Sequence, residues 1–154
     1  MAFADSIRTS AATMEAIAAL LEDLLVDYAQ DYDSSAQNTT NTDLSNPTEA
    51  TGTSISLTVP TGGIVLLFGS LSASHSNGNQ YVHMRFKRDS TVLSGNCVAV
   101  PHRGDTNAGD VWLTDFLIDA PAAGTYTYKL GFATSANTAY ILYRRLIGLV
   151  LRIS

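Results

Sequence analysis

Residues 124–153 read GTYTYKLGFATSANTAYILYRRLIGLVLRI, and the fold turns on how this stretch is paired. Tyr126, Tyr128, Leu130 and Phe132 alternate with Thr125, Thr127 and Lys129, the period-two pattern of a strand made of β-favouring residues. Ile147, Leu149, Leu151 and Ile153 make a second alternating face, and Leu146, Gly148 and Val150 between them are apolar or small as well. A strand that is apolar on both sides needs cover on both sides. One face closes a sandwich and the other packs on a further copy of the chain. On this reading Leu146 and Val150 are candidate interface residues, while Leu149 and Leu151 belong to the core. Arg144-Arg145 interrupts the apolar run. It reads either as a turn bearing solvated charge or as a site where an arginine meets an aspartate across a subunit interface.

The chain upstream supplies partners for this stretch. Ser54–Val59 alternates and stops at Pro60-Thr61-Gly62-Gly63, a tight turn. Ile64–Ser74, Tyr81–Arg88, Thr91–Leu93, Cys97–Val100 and Val111–Asp119 follow as strands, with polar loops at 74–80 and 101–110. About eight short strands with no helix between them predict a mainly β fold, an eight-stranded antiparallel jelly-roll sandwich over residues 54–154.

The first 53 residues read differently. Residues 5–32 hold no Gly or Pro and are rich in Ala, Leu, Met and Glu, so 1–32 is expected to be an N-terminal α-helical segment. Ile7, Met14, Leu21 and Tyr28 share one heptad position, and Ile17 and Leu24 share the other. This seam (Met14, Ile17, Leu21, Leu24, Tyr28) packs either on the chain's own β-domain or in a self-associating bundle, where it would serve oligomerisation or anchoring. Residues 33–53, rich in Ser, Thr, Asn and Asp with Pro47 and Gly52, are expected to be a polar linker.

Composition narrows the function. Of 154 residues, 45% are hydrophobic, enough for a core, and only 15% are charged. The net charge of −5 divides unevenly: residues 1–50 carry nine acidic side chains against Arg8 alone, and the remainder is mildly positive. With no basic run beyond Arg85-Phe86-Lys87-Arg88, nucleic acid is not an expected partner. The apolar runs fall short of the roughly 20 residues that span a bilayer, so no membrane partner is expected either. No basic n-region precedes an apolar stretch, so export by an N-terminal signal is not expected. Cys97 is the only cysteine, which excludes an intrachain disulfide.

No catalytic motif is present, neither a Gly-x-Ser-x-Gly elbow nor a phosphate loop nor His-Glu-x-x-His, and the expectation is a protein that is not an enzyme and holds no cofactor. His75 and His102 fall in loops. His83 lies on a polar strand face, solvated or else set to share a metal around a three-fold axis. Arg103-Gly104-Asp105 spells an adhesion tripeptide, but Asp and Gly are expected in a loop and its composition accounts for the match. His75, Asn77, Arg103 and Asp105 are the candidate exposed contact residues.

Three stretches then coincide: Leu57-Thr58-Val59-Pro60-Thr61-Gly62-Gly63 leading into an apolar strand, Ala120-Pro121-Ala122-Ala123-Gly124-Thr125-Tyr126-Thr127-Tyr128-Lys129, and Leu146–Leu151 at the close. Together they resemble the trimeric jelly-roll modules of bacteriophage virion proteins, related to the C1q and tumour-necrosis-factor fold. Ala122-Ala123 before Gly124 departs from that pattern slightly. The resemblance covers about 100 residues. It implies a homotrimer whose last strand lies near the three-fold axis. It implies a capsid decoration (cement or head-fibre) protein, made in the host cytoplasm and bound to the major capsid protein or another virion protein on the capsid exterior. The alternative it allows is a receptor- or glycan-binding tip of a tail or head fibre, touching a host-surface glycan or receptor.

Overall fold

The computed structural model describes residues 13–16, 18–19, 24–77, 80–93, 98–101 and 111–152. In chain order the strands are β1 (Leu25–Asp33), β2 (Gln37–Thr39), β3 (Thr48–Val59), β4 (Gly63–His75), β5 (Tyr81–Arg88), β6 (Thr91–Val92), β7 (Val98–Pro101), β8 (Val111–Asp119), β9 (Gly124–Thr134) and β10 (Ala139–Arg152). Sheet I runs β1-β10-β4-β8, with β2 also on β10; sheet II runs β3-β9-β5-β6, with β7 also on β5. Every pairing is antiparallel. The mainly β jelly-roll sandwich is therefore present, with ten strands among the described residues where eight were expected.

The core lies between the sheets. Val65, Leu67 and Leu71 of β4, Leu113 of β8 and Ile141, Leu146 and Val150 of β10 meet Leu57, Met84, Phe86, Tyr128, Leu130 and Phe132 from sheet II. Gly148 explains how close the layers come at β10. A Cβ there would sit 2.5 Å from Leu57 Cδ1 and 2.7 Å from Ile55 Cδ1, so the missing side chain is what admits both residues.

The extra strands come from the segment read as helix and linker. Residues 13–16, 18, 19 and 24 are helical, but from Leu25 the chain is extended and pairs with β10, with Tyr28 opposite Leu149 and Tyr32 opposite Arg145. Alternation explains the change: Asp27, Ala29, Asp31 and Asp33 lie on one side of β1 and Tyr28, Gln30 and Tyr32 on the other. The aspartates serve the neighbouring strand. Asp27 Oδ2 accepts from the Thr58 N–H at 2.8 Å and Asp31 Oδ2 from the Ser54 N–H at 3.0 Å, giving partners to donors on the edge strand β3. Residues 33–53 are likewise part of the sandwich. Gln37 bonds Glu49 O and the Thr51 N–H, Thr39 Oγ1 lies 2.6 Å from Thr48 Oγ1, and Thr134 donates to Asn41 O.

β10 is one strand of 14 residues, without a turn at Arg144-Arg145. Its register on β4 shifts between Ile141, opposite Ala73, and Arg144, opposite Leu71. This bulge resets the pleat, so Ile141 and Arg144 both point inward. From there Leu146 and Val150 are fully buried between the sheets, while Ile147, Leu149 and Leu151 lie on the outer face, only partly covered. The expected assignment is thus reversed: Leu146 and Val150 are core, because the bulge shifts the phase of alternation by one residue.

Candidate functional site

Two features stand out, and both lie on the outer face of sheet I. The register sets out its rows. Tyr28, Leu149, Leu66 and Ile118 align across β1, β10, β4 and β8. Gln30, Ile147, Phe68 and Phe116 form the next row, and Leu151 and Ile64 flank them beyond Leu149 and Leu66. Phe68 is 43% exposed, Phe116 63% and Ile118 57%. Taking about 200 Å² for an open aromatic side chain, the two phenylalanines alone leave about 90 and about 130 Å² uncovered. With the aliphatic residues around them the apolar face reaches the few hundred Å² that mark an interaction surface. Phe68 and Phe116 stack with their ring centroids 6.5 Å apart.

The other half of the face, where β4 ends and β8 and β10 begin, changes character. Tyr32, Arg145, Ser70 and Thr114 form the first row there. Beyond them Trp112 and Tyr143 lie nearly parallel, 17° apart with centroids at 6.2 Å. An open cavity of about 310 Å³ lies here, lined by Tyr32, Ser70, Trp112, Tyr143, Arg144 and Arg145. Trp112 is paired with Ser72, whose buried hydroxyl has no hydrogen-bond partner among the described residues.

Directly behind this cavity Arg144 is fully buried and ties three segments together. Its guanidinium donates to Ser35 O, Thr51 O, Thr51 Oγ1 (2.9 Å), Ser35 Oγ (3.1 Å) and Asp33 Oδ2 (2.8 Å). The Ser35 backbone N–H, then its hydroxyl, and then the Arg144 charge hold the Asp33 carboxyl below the ordinary carboxylate range. Gly52 makes room for it. Its φ is +69°, and a Cβ there would fall 2.4 Å from Asp33 Cβ. The ion pair considered for this arginine is therefore formed within one chain, with Asp33.

The other expected residues are scattered. Met14 is helical and 66% exposed, and Leu24 and Tyr28 are 41% and 49% exposed. Tyr28 belongs to β1, so it shares no helical seam with Met14 and Leu24. Ile17, Leu21, Arg103 and Asp105 lie outside the described residues. Asn77 is exposed, but His75 is buried; its Nε2 lies 2.7 Å from both Thr134 Oγ1 and Ala136 O, and its Nδ1 2.9 Å from Asn77 O. It pins the β4 end to the β9–β10 turn and offers no contact surface. His83 sits on β5 of sheet II, away from the apolar face, and burial first and the Arg85 charge second lower its pKa. Among the described residues no group of three His, Cys, Asp or Glu could hold a metal, and no helix is long and apolar enough to cross a membrane. Trp112, Tyr143 and Tyr32 were not among the contact residues expected, which were placed in the polar loops, whereas strands carry these aromatics.

No protein-family model and no curated protein matches the chain. Solved structures do. The infectious bursal disease virus Gx strain structure matches with a TM-score of 0.51 at 12% identity, over 83% of this chain and 33% of that one. The VP2 subviral particle of the same virus gives 0.50 at 13% identity, over 80% and 32%. The Eiger TNF of S. frugiperda gives 0.42 at 13%, over 85% and 94%. The chain spans about a third of the length of the viral chains. At these identities the likeness is one of fold: the chain is an antiparallel jelly-roll sandwich, an architecture it shares with a viral capsid protein.

Proposed function

We propose that this chain is a structural virion protein of a tailed bacteriophage, a homotrimer that decorates the capsid exterior. The observation that carries the reading is the apolar half of the sheet I outer face. Phe68, Phe116, Ile118, Leu66, Ile147 and Leu149 are too large and contiguous a surface to stay in water. A second and a third copy of the chain cover it, with three as the closed ring that the resemblance to phage jelly-roll modules implies. Leu24, itself helical, and Leu25 and Val26 after it, exposed by 41%, 44% and 38%, extend the apolar surface toward the shell. Residues 1–24 would make the attachment to the major capsid protein. Three such attachments on one trimer convert weak single contacts into lasting ones. The chain performs no chemistry in this role.

Cryo-electron microscopy of the parent particle, with the chain labelled, tests the placement. Three-fold density on the capsid surface is expected, and label confined to fibres over a bare shell would overturn it.

A further inference from the structure

We propose that the cavity at the Trp112 end of sheet I binds a saccharide that carries a carboxylate. The inference uses the polar half of the face and does not depend on the trimer.

The cavity of about 310 Å³ is at the lower end of the range for small-ligand sites and has room for one or two rings of a sugar chain, with any further ring running out of its open side. Its walls divide the work. Trp112 and Tyr143 stack near parallel and, at 57% and 39% exposed, keep aromatic surface open to solvent. The apolar C–H face of a pyranose ring packs on such a surface, whose π cloud is negative. The hydroxyls of Tyr32, Tyr143 and Ser70 make no hydrogen bond with any described residue, so they remain free for the hydroxyls at the sugar's rim. Charge then selects among sugars. Arg144 is already met by Asp33, but Arg145, exposed beside it, forms no ion pair among the described residues. Of the residues in the rows of this face it bears the one charge, and it is positive. A planar guanidinium fork that lines the same cleft as the aromatic pair fits a carboxylate in bidentate fashion. A neutral sugar would leave that fork unanswered.

Trp112 is the chain's only tryptophan, so its fluorescence reports on the site directly. The full-length protein is titrated with trigalacturonate and, separately, with neutral maltotriose. Trigalacturonate is expected to change Trp112 emission saturably, with a midpoint at or below the millimolar range, and maltotriose to bind at least about tenfold more weakly. Arg145→Gln should raise the trigalacturonate midpoint about tenfold, while Arg152→Gln, an exposed arginine farther along the same strand, leaves it unchanged. Trp112→Ala, followed by calorimetry, should abolish binding. Equal responses to the two sugars, or none to either, would overturn the proposal. So would a Trp112 shielded from acrylamide in the oligomer and freed on dilution, because the cavity would then belong to the subunit interface.

Discussion

Replacing Arg144 by methionine keeps the length of the side chain and removes the guanidinium. The buried fork now gives hydrogen bonds to three carbonyls, two hydroxyls and one carboxylate, contributed by the end of β1, the β1–β2 connection, the bend of β3 and, through Leu142 O, β10 itself. A hydrogen bond to a charged group is worth about 1.5–3 kcal/mol, and bonds sharing one donor group do not add. Removing one partner of a buried charged network typically costs about 3–5 kcal/mol, and we expect Arg144→Met to fall in that range. Against a total stability of about 5–15 kcal/mol that is a large fraction. Urea unfolding measures it as a lower midpoint at an unchanged slope. Arg144→Lys retains the charge but loses the fork, so it should recover less than half of the loss. A decrease below about 1 kcal/mol for Arg144→Met, or full rescue by lysine, would refute the claim that this arginine holds the N-terminal strand on the sandwich.

Other perturbations separate core from surface and acid from alkaline limits. Val150→Asp places a charge between the sheets and should unfold the chain, whereas Leu149→Asp on the outer face should chiefly lower the native mass; circular dichroism and light scattering distinguish the two. Gly148→Val pushes atoms into Leu57 and Ile55 and should cost about 3 kcal/mol or more by urea unfolding. Hydrogen bonds from Lys129 and then Lys87 hold Glu49 below its ordinary pKa, so its stabilising contribution is present above the unfolded carboxylate range and is lost as pH falls through the folded value. Glu49→Gln should accordingly flatten the acid limb of the urea midpoint. Burial, and next the hydrogen bond to Asp119, push Tyr128 above the usual phenol range. Its contribution is full below about pH 10 and is lost as pH climbs toward the folded value. Ultraviolet titration should show this tyrosine ionising last or only on unfolding, and early ionisation would contradict its burial.

The strands that alternate cleanly were legible in the sequence. β5 and β8 span the residues expected, Tyr81–Arg88 and Val111–Asp119, and in β5 Val82, Met84 and Phe86 face the core in strict alternation. β1 was hidden by its own chemistry. Three of its inward positions are aspartates, two of which bond the edge of β3, so no apolar period of two appears, and Leu21, Leu24 and Tyr28 suggested a heptad instead. Arg144-Arg145 looked like a break because a pair of charges is rarely buried; nothing in the local sequence announced that Asp33, Ser35 and Thr51, more than 90 residues earlier, would meet one of them. The same bulge carried Leu146 and Val150 from the outer face to the core. The apolar face itself was anticipated as a demand of the last strand, but its strongest members, Phe68, Phe116 and Ile118, come from β4 and β8. The aromatic cavity draws on four strands, and only the register brings them together.

The central claim is that copies of this chain cover the apolar face of sheet I. Light scattering on the purified protein at micromolar concentration, with and without Phe116→Ser, tests it most directly. The account predicts three times the 16.4 kDa chain mass for the parent and a shift toward one chain mass for the variant, with the β-sheet spectrum retained. A parent protein that runs at 16.4 kDa, unaffected by the substitution, would contradict it.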